Sequence, residues 1–600
     1  MPVENDILSE AGHSSTETEF YSPLPDGYQR GRHKYVVVMG TVMSGLGKGI
    51  FASSVAKLLK DKGLRVSPMK MEGYLNIDSG TLNPYRHGEV FVLDDGMETD
   101  MDLGTYERML DQNLTGESFT TSGQIYRRVL DKERHGGYLG RDVQMIPHVT
   151  GEVKYLLRQL AVKQDSDIVF VEVGGTVGDF ENAFYIEALR ELAFEEGPGS
   201  VCFVGLTYVI EPQALGEQKS KAAQLGIKRM MELGVQPHIV ACRARNPVSP
   251  KVREKIAMFS NVPMRRVFSM HDRDSIYLVP EAMHQEGLDL EILTTLNLHS
   301  RVRPALEDRA RGQWNKFVGM LSGKRKYSIQ LGITGKYAGL RDAYASIDKA
   351  IEHCAAHLST DVNIHWLDST EMDNVDASRI AEQLEPLDGV IVPGGFGHRG
   401  TEGKIQCVKY CRENQLPYLG ICLGFQMAVV EYARNVCGLT DAASTEFDPH
   451  AKNAVIDILP EQKEIEGLGG NMRLGGKDVK LTPNSLAAFL YGNRESIRER
   501  FRHRYEVDPK FIEQLEQNGL IFSGRHPEQP IMQILELPTD KHPFFLGGQF
   551  HPELMGRPLH PAPMFMGLLA AAIRHANPDT PASEISKRWL PAAGPQATTV

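Results

Sequence analysis

The strongest constraint on this chain is a recurring short apolar run, closed by glycine or a polar turn and followed by a helix-compatible stretch. Tyr35-Val36-Val37-Val38-Met39-Gly40 is the first, and residues 168–173, 201–206 and 239–242 repeat it. Runs this short and apolar throughout have the form of strands buried on both faces. Parallel strands take that form because their crossover helices cover both sides of the sheet. The stretch from 49 to 62 is helical in pattern, with Val55, Leu58 and Leu59 on one face. The first half is therefore expected to be α/β with a mainly parallel sheet. A second series starts at Tyr327-Ser328-Ile329-Gln330-Leu331 and continues through residues 389–395 and 418–422. No internal repeat links the halves, so two different α/β domains are expected. A chain of 600 residues is too long for one core in any case.

The expected boundaries are a polar, disordered extension over 1–32, a first domain over 33–300 and a charged, helix-compatible linker over 301–326. A second domain over 327–576 follows, then a flexible Pro-, Ala- and Ser-rich tail over 577–600. The net charge of −11 argues against nucleic acid as a partner, since backbone phosphate binding rests on basic surface. No run approaches the ~20 apolar residues of a membrane span, so no membrane role is expected. The seven cysteines are odd in number and thinly spread, unlike a disulfide framework, and no secretory signal core is present. A reducing cytoplasm is the expected compartment.

Gly420-Ile421-Cys422-Leu423-Gly424, between an apolar strand and an apolar helix, reads as a nucleophile elbow. Such a turn pushes one side chain out at the carboxyl end of a strand. The helix N-terminus behind it favours a thiolate and supplies N–H donors for an oxyanion. A cysteine nucleophile needs a base. His551 in Gln549-Phe550-His551-Pro552-Glu553 can act as one, with Glu553 orienting the imidazole.

In the first half, Gly40-Thr41-Val42-Met43-Ser44-Gly45-Leu46-Gly47-Lys48-Gly49 joins a strand to its helix. Its N–H groups can cradle phosphate and Lys48 can reach the outer phosphates. It departs from GxxxxGK[ST]: Val42 stands at the first glycine, and Gly49 replaces the hydroxyl that would hold magnesium. Magnesium then needs carboxylates from elsewhere. Asp102 and Glu172, the latter at the end of a buried strand, are the candidates.

The segment Gly-Ile-Cys-Leu-Gly-Phe-Gln, with Pro393-Gly394-Gly395-Phe396-Gly397 upstream and Phe-His-Pro-Glu downstream, resembles the class I glutamine amidotransferases. Across about 34–575 the chain resembles the CTP synthase family. The residues that carry this resemblance are 44–49, His87-Gly88-Glu89-Val90-Phe91-Val92, 100–108, 172–179, 261–263 and 274–277. It implies a P-loop-type, Rossmann-like synthetase domain followed by a flavodoxin-like amidotransferase domain. It implies ATP-dependent amination of UTP to CTP with ammonia from L-glutamine, reaching the acceptor through a protected tunnel. Lys48 and Lys70 join Cys422, His551 and Glu553 as implied catalytic residues. ATP is implied at Gly45, Leu46, Gly47, Lys48, Gly49, Ile50, Asp102, His271, Asp272 and Arg273. UTP or CTP is implied at Ser44, Asp179, Glu181, Lys219, Ser220, Lys221, Gln224 and Lys255, and glutamine at Gly395, Leu423, Gln426, Glu446 and Arg504. Magnesium on Asp102 and Glu172, GTP as allosteric activator with residues 470–475 as a lid, and a homotetramer are implied likewise.

Two loops depart from the family pattern. The UTP loop, Gly-Glu-x-Lys-Thr-Lys-Pro-Thr-Gln-His-Ser in the family, here reads Gly216-Glu217-Gln218-Lys219-Ser220-Lys221-Ala222-Ala223-Gln224-Leu225-Gly226. Residues 70–82 likewise lose prolines, with Gly73 and Ser79 in their places. Lost prolines loosen a loop, and lost hydroxyls and imidazole remove hydrogen bonds near the acceptor. Besides UTP amination, two alternatives stay open at this stage. One is a paralogous amidoligase with a modified pyrimidine nucleotide or other acceptor. The other is a non-catalytic filament or regulatory homologue, against which the retained reacting groups count.

Overall fold

Local sequence sets the strands, and the glycine-bounded apolar runs become the sheet centres. The computed structural model describes residues 21–212, 216–336, 339–373, 375–458 and 472–591. The chain divides into two compact units. One holds the residues up to Thr81 with Thr105–Gln313, the other Leu82–Gly104 with Trp314 onward. No described helix is long and apolar enough to cross a membrane.

The first unit carries a seven-stranded sheet in the order Phe119–Thr121, Val66–Glu72, Ile168–Val173, Lys34–Gly40, Val201–Tyr208, Ile239–Ala244, Val267–His271. Every pairing is parallel. The first strand in sequence is central, with later strands on both sides, so the order reverses beside it. In open α/β sheets ligands bind at the carboxyl ends of the strands at such a reversal. Tyr35, Val36, Val37 and Val38 are fully buried there, as are Ile168 through Val171.

The second unit has a nine-stranded sheet that is parallel only in part. Thr360–Asp368, Tyr327–Gly335, Gly389–Val392, Tyr418–Ile421 and Phe545–Gly548 form the parallel half. Met532–Glu536, Ile521–Arg525, Arg473–Leu481 and Ser496–His503 extend it antiparallel. Tyr327–Gly335, Gly389–Val392 and Tyr418–Ile421 of the parallel half were legible as apolar runs; the edge strand Thr360–Asp368 was not. The antiparallel strand Ser496–His503 is charged over Arg498-Glu499-Arg500 and gives no such signal.

Three features differ from the sequence boundaries. The stretch 21–32 is held in place: Ser22 Oγ donates to Glu195 at 2.6 Å, Gly31 N donates to Glu196 at 2.9 Å, and the Tyr28 and Tyr35 hydroxyls meet at 2.8 Å. Hydrogen bonds to the buried Arg158–Glu195–Glu196 network, which leave no local pattern in the sequence, anchor it, and so composition missed it. Residues 1–20 of the expected extension lie outside the described residues. Second, Leu82–Gly104 groups with the second unit, its short hairpin of Phe91–Val92 and Glu98–Thr99 resting on the Ser496–His503 strand. Arg498 pairs with Asp94 at 3.0 Å, Arg500 donates to the Val92 carbonyl at 3.0 Å, and Arg502 pairs with Glu98 at 2.7 Å. Period-two spacing puts all three arginines on one face of that strand. Third, the tail is docked as far as residue 591. A short helix spans Ala582–Ile585 and Leu590 is buried in the second core; 592–600 lie outside the described residues. The linker expected over 301–326 contains one helix, Pro304–Ser322.

Candidate active sites

In the second unit the strand Tyr418–Ile421 ends at Cys422, which has φ 52° and ψ −100° and starts the helix Leu423–Asn435. A positive φ at a non-glycine residue is strained and persists only where the surroundings dictate it. Here Cys422 N donates to Gly548 O at 2.8 Å, which fixes the turn from the neighbouring strand. Gly424 faces the Val392 carbonyl so closely that no side chain fits, which explains the glycine after the nucleophile.

His551 Nδ1 lies 2.7 Å from Glu553 Oε1, and its buried Nε2 has no hydrogen-bond partner. Burial alone would push the imidazole pKa down. The Glu553 carboxylate and the Cys422 sulfur outweigh burial and raise it to about 10. The protonated ring is thus favoured through the neutral range. Its stabilising contribution is fully present below the ordinary histidine pKa of ~6.5 and is lost as pH rises through about 10. Behind the pair, Tyr491 donates to Glu499 at 2.7 Å. Burial pushes Glu499 up to about 8, so this neighbour is largely neutral at pH 7.

Cys422, His551 and Glu553 open onto a cavity of about 150 Å³ also lined by Gly395, Arg502, Glu89 and Val90. Among the expected glutamine contacts, Gly395 lies against the Leu423 side chain and lines the cavity with Cys422, and Glu446 accepts from Gly397 N at 2.7 Å. Burial raises the Glu446 pKa, with Lys336 and Arg504 opposing. Gln426 is tied to Tyr505 O at 2.9 Å. Sequence reading missed Arg502, whose guanidinium stacks on Phe396 at 5.0 Å, and the buried Lys404. Lys404 Nζ donates to Pro393 O at 2.8 Å, and burial, helped by Lys336, lowers its pKa to about 7. Nothing in its local sequence distinguishes Lys404 from a surface lysine.

In the first unit the phosphate-type loop runs from Gly40 to the helix Lys48–Asp61. Met43 N donates to Thr41 O at 2.8 Å across Val42, whose φ is +73°. This is the strained γ-turn, and the position is one where related loops use glycine. Ser44, Gly45, Leu46 and Gly47 follow; Gly49 and Ile50 lie in the first helical turn. Lys48 Nζ donates to Gly175 O at 2.7 Å. The fully buried Glu172 takes Lys70 Nζ at 2.7 Å on one oxygen and the Tyr106 hydroxyl at 3.2 Å on the other. Glu72 adds a second carboxylate 3.2 Å from Lys70. Asp102 belongs to the other unit's residues, its amide donating to Asp100 Oδ1 at 3.2 Å.

The residues expected to hold the acceptor are more exposed. Asp179 accepts from Thr176 N at 2.6 Å, and Glu181 packs against Gly73, where a Cβ would come within 3.1 Å of it. Lys219 pairs with Glu217 at 2.7 Å, Gln224 Nε2 donates to Ser220 Oγ at 3.0 Å, and Lys221 and Lys255 are exposed. Part of this loop, 213–215, lies outside the described residues, as do 470–471 of the expected lid. His271 lines a small pocket with Arg273, and Asp272 pairs with Arg243 at 2.7 Å. Gly226, where the family pattern has serine, lies against Thr41: a Cβ there would sit 2.6 Å from Thr41 Oγ1. Gly226→Ser is therefore expected to destabilise the unit by about 1–3 kcal/mol, and Thr41→Gly to restore part of that loss. Thermal melts of the two single variants and the double would show it; additive losses would exclude the contact.

An elbow cysteine with a histidine–glutamate pair, on a chain that also carries a phosphate-type loop beside buried carboxylates, defines a glutamine-dependent amidoligase. The family described as CTP synthase N-terminus matches residues 34–298, and glutamine amidotransferase class-I matches 340–571. The CTP synthase of Methanopyrus kandleri is 47% identical over 90% of this chain and 99% of its own length. That of Natronomonas pharaonis is 48% identical over 91% and 97%. A solved glutaminase domain of Trypanosoma brucei CTPS with bound acivicin is 36% identical, with a TM-score of 0.38, over 41% of this chain and 93% of that one. The chain belongs to the CTP synthase family. It is a ligase that hydrolyses glutamine and aminates UTP to CTP at the expense of ATP.

Proposed function

We propose that Cys422, His551 and Glu553 release ammonia from glutamine, and that Lys48 and Lys70 serve activation of the acceptor. The observation that carries the first half is the strained Cys422 backbone beside the 2.7 Å His551–Glu553 contact. Cys422 attacks the glutamine side-chain amide as its thiol proton passes to His551, the oxyanion is met by N–H groups at Gly395 and Leu423, and His551 returns that proton to the amide nitrogen, which leaves as ammonia. The remaining acyl group stays on sulfur as a thioester until water removes it. Glu446, Gln426 and Arg504 hold the glutamine. Ammonia then enters the cavity lined by Glu89 and Val90.

In the synthetase unit the uracil 4-oxygen is a poor leaving group, so phosphorylation must precede displacement by ammonia. Loop residues Gly45 to Ile50, with Lys48 among them, hold ATP together with His271, Asp272 and Arg273. Ser44, Asp179, Glu181, Lys219, Ser220, Lys221, Gln224 and Lys255 hold the pyrimidine nucleotide. The donor set suits magnesium: Glu172 is a buried carboxylate with Glu72 close by, and both are oxygen donors of the kind this ion selects. Asp102 and Glu172 would hold it, and when bound it neutralises charge on the transferring phosphoryl group. Lys70 balances Glu172 and orients it. GTP activation, a homotetramer and a cytoplasmic location complete the proposal, supported by the family resemblance.

Incubation with UTP, ATP, magnesium and glutamine, with and without GTP, tests it by product identification. CTP with a GTP-dependent glutamine rate is expected. Failure to form CTP from free ammonia as well would defeat the acceptor assignment, and a rate indifferent to magnesium would defeat the metal.

A further inference from the structure

Gln549 is fully buried, and the mechanism above gives it no task. It is the middle member of a chain of side-chain contacts that ends on the nucleophile. Gln426 Nε2 donates to the main-chain carbonyl of Tyr505 at 2.9 Å. A carbonyl only accepts, so this contact decides which end of the Gln426 amide carries the nitrogen. The same nitrogen donates to Gln549 Oε1 at 3.2 Å. The NH₂ end of Gln549 is therefore the one that faces Cys422, with Nε2 3.7 Å from Sγ. Its backbone is pinned as well, Gln549 N donating to Gln533 O at 2.9 Å. The orientation of the second amide is thus dictated by a main-chain carbonyl two links away.

The sulfur's other hydrogen-bond contact points the opposite way. Cys422 Sγ lies 3.7 Å from the Arg502 carbonyl, an acceptor that suits a protonated thiol and repels a thiolate. Once the proton is lost, the sulfur needs a donor, and Gln549 offers one that carries no charge. Such a donor adds no further charge beside the imidazolium of His551.

We propose that Gln549 is the N–H donor that stabilises and aims the Cys422 thiolate, held in register by Gln426 and the Tyr505 carbonyl. The proposal rests on Cys422 being the nucleophile. It extends that reading to a residue that the sequence motif had left as a spacer before His551. A donor to an anionic sulfur acts on both the thiolate population and the attack geometry. Its loss should therefore lower the chemical step more than glutamine binding.

The test uses the full-length protein. The rate of iodoacetamide modification of Cys422, located by peptide mapping, is followed against pH in the parent, Gln549→Met and Gln549→Glu. The other charged groups facing the sulfur stay in place: His551 and Glu553 after the Phe545–Gly548 strand, Lys404 on its helix, Lys336, Arg502 and Glu89. Gln549→Met keeps length and bulk without the donor. It is expected to move the alkylation midpoint upward and to lower kcat for glutamine hydrolysis about tenfold or more, with KM changed by less than about threefold. Gln549→Glu keeps the shape and replaces the donor with an acceptor, and its midpoint should rise further. Ammonia-dependent CTP formation is the folding control, and if the Met variant fails that control the Glu variant decides. An unchanged midpoint in a variant that passes the control overturns the proposal, as does a rise in KM with kcat unchanged. No label on Cys422 in the parent removes the nucleophile assignment itself, an outcome distinguishable from failure at Gln549.

Discussion

Cys422→Ala is expected to lower glutamine-dependent CTP formation by ~10³-fold or more, while synthesis from free ammonia continues. The size of the effect follows from geometry. Cys422 alone occupies the elbow, with φ 52° and its amide bonded to Gly548 O, and alanine keeps that backbone while deleting the one atom that attacks. Cys422 is buried, with 4% of its surface exposed, but alanine removes a single atom, so the folding cost is small beside the catalytic loss and the ammonia reaction should be spared. Parallel assays with glutamine and with ammonium salt at alkaline pH measure the split. Equal loss of both would mean that the cysteine is structural.

Removing Lys70 has the second largest expected effect, and on the opposite activity. Lys70 and Glu172 are 3% and 0% exposed and lie 2.7 Å apart on adjacent parallel strands, at partner positions in the register. Breaking a buried pair from one side leaves an uncompensated charge, at a cost of about 3–5 kcal/mol. Lys70→Met should therefore lower the melting temperature and abolish both ammonia- and glutamine-driven synthesis. The double variant Lys70→Met, Glu172→Gln removes the fully buried carboxylate and leaves only the partly exposed Glu72 without its lysine, so it should recover most of the stability and none of the synthesis. Glutamine hydrolysis at Cys422 reports separately whether the second unit is intact. A double variant that makes CTP at the parent's rate would remove both residues from the chemistry.

Much of this was legible in the sequence because buried parallel strands announce themselves. Tyr35 to Gly40 and Tyr418 to Cys422 are apolar on both faces, and each delivers a loop whose chemistry is readable from residue type and spacing. His551 and Glu553 were readable because a two-residue spacing suffices to place imidazole and carboxylate in contact. Other features had no local signal. Lys404 and Gln549 act through burial, which depends on what packs over them from distant parts of the chain. The ion network that fixes Ser22 and Gly31 pairs residues more than 160 positions away, beyond any local pattern. The hairpin of residues 91–99 is too short to stand out, and its partners are arginines about 400 residues later.

That hairpin bears on how the molecule could be inherited or dismantled. The polypeptide passes out of the first unit at Thr81, contributes Leu82–Gly104 to the second, and returns at Thr105. Severing the covalent link in the helix Pro304–Ser322 would therefore cut the chain without freeing its halves. One piece would still carry Asp94 and Glu98 as the counter-ions of Arg498 and Arg502 on the other. Two separate genes split at that helix would have to encode products that re-form those pairs.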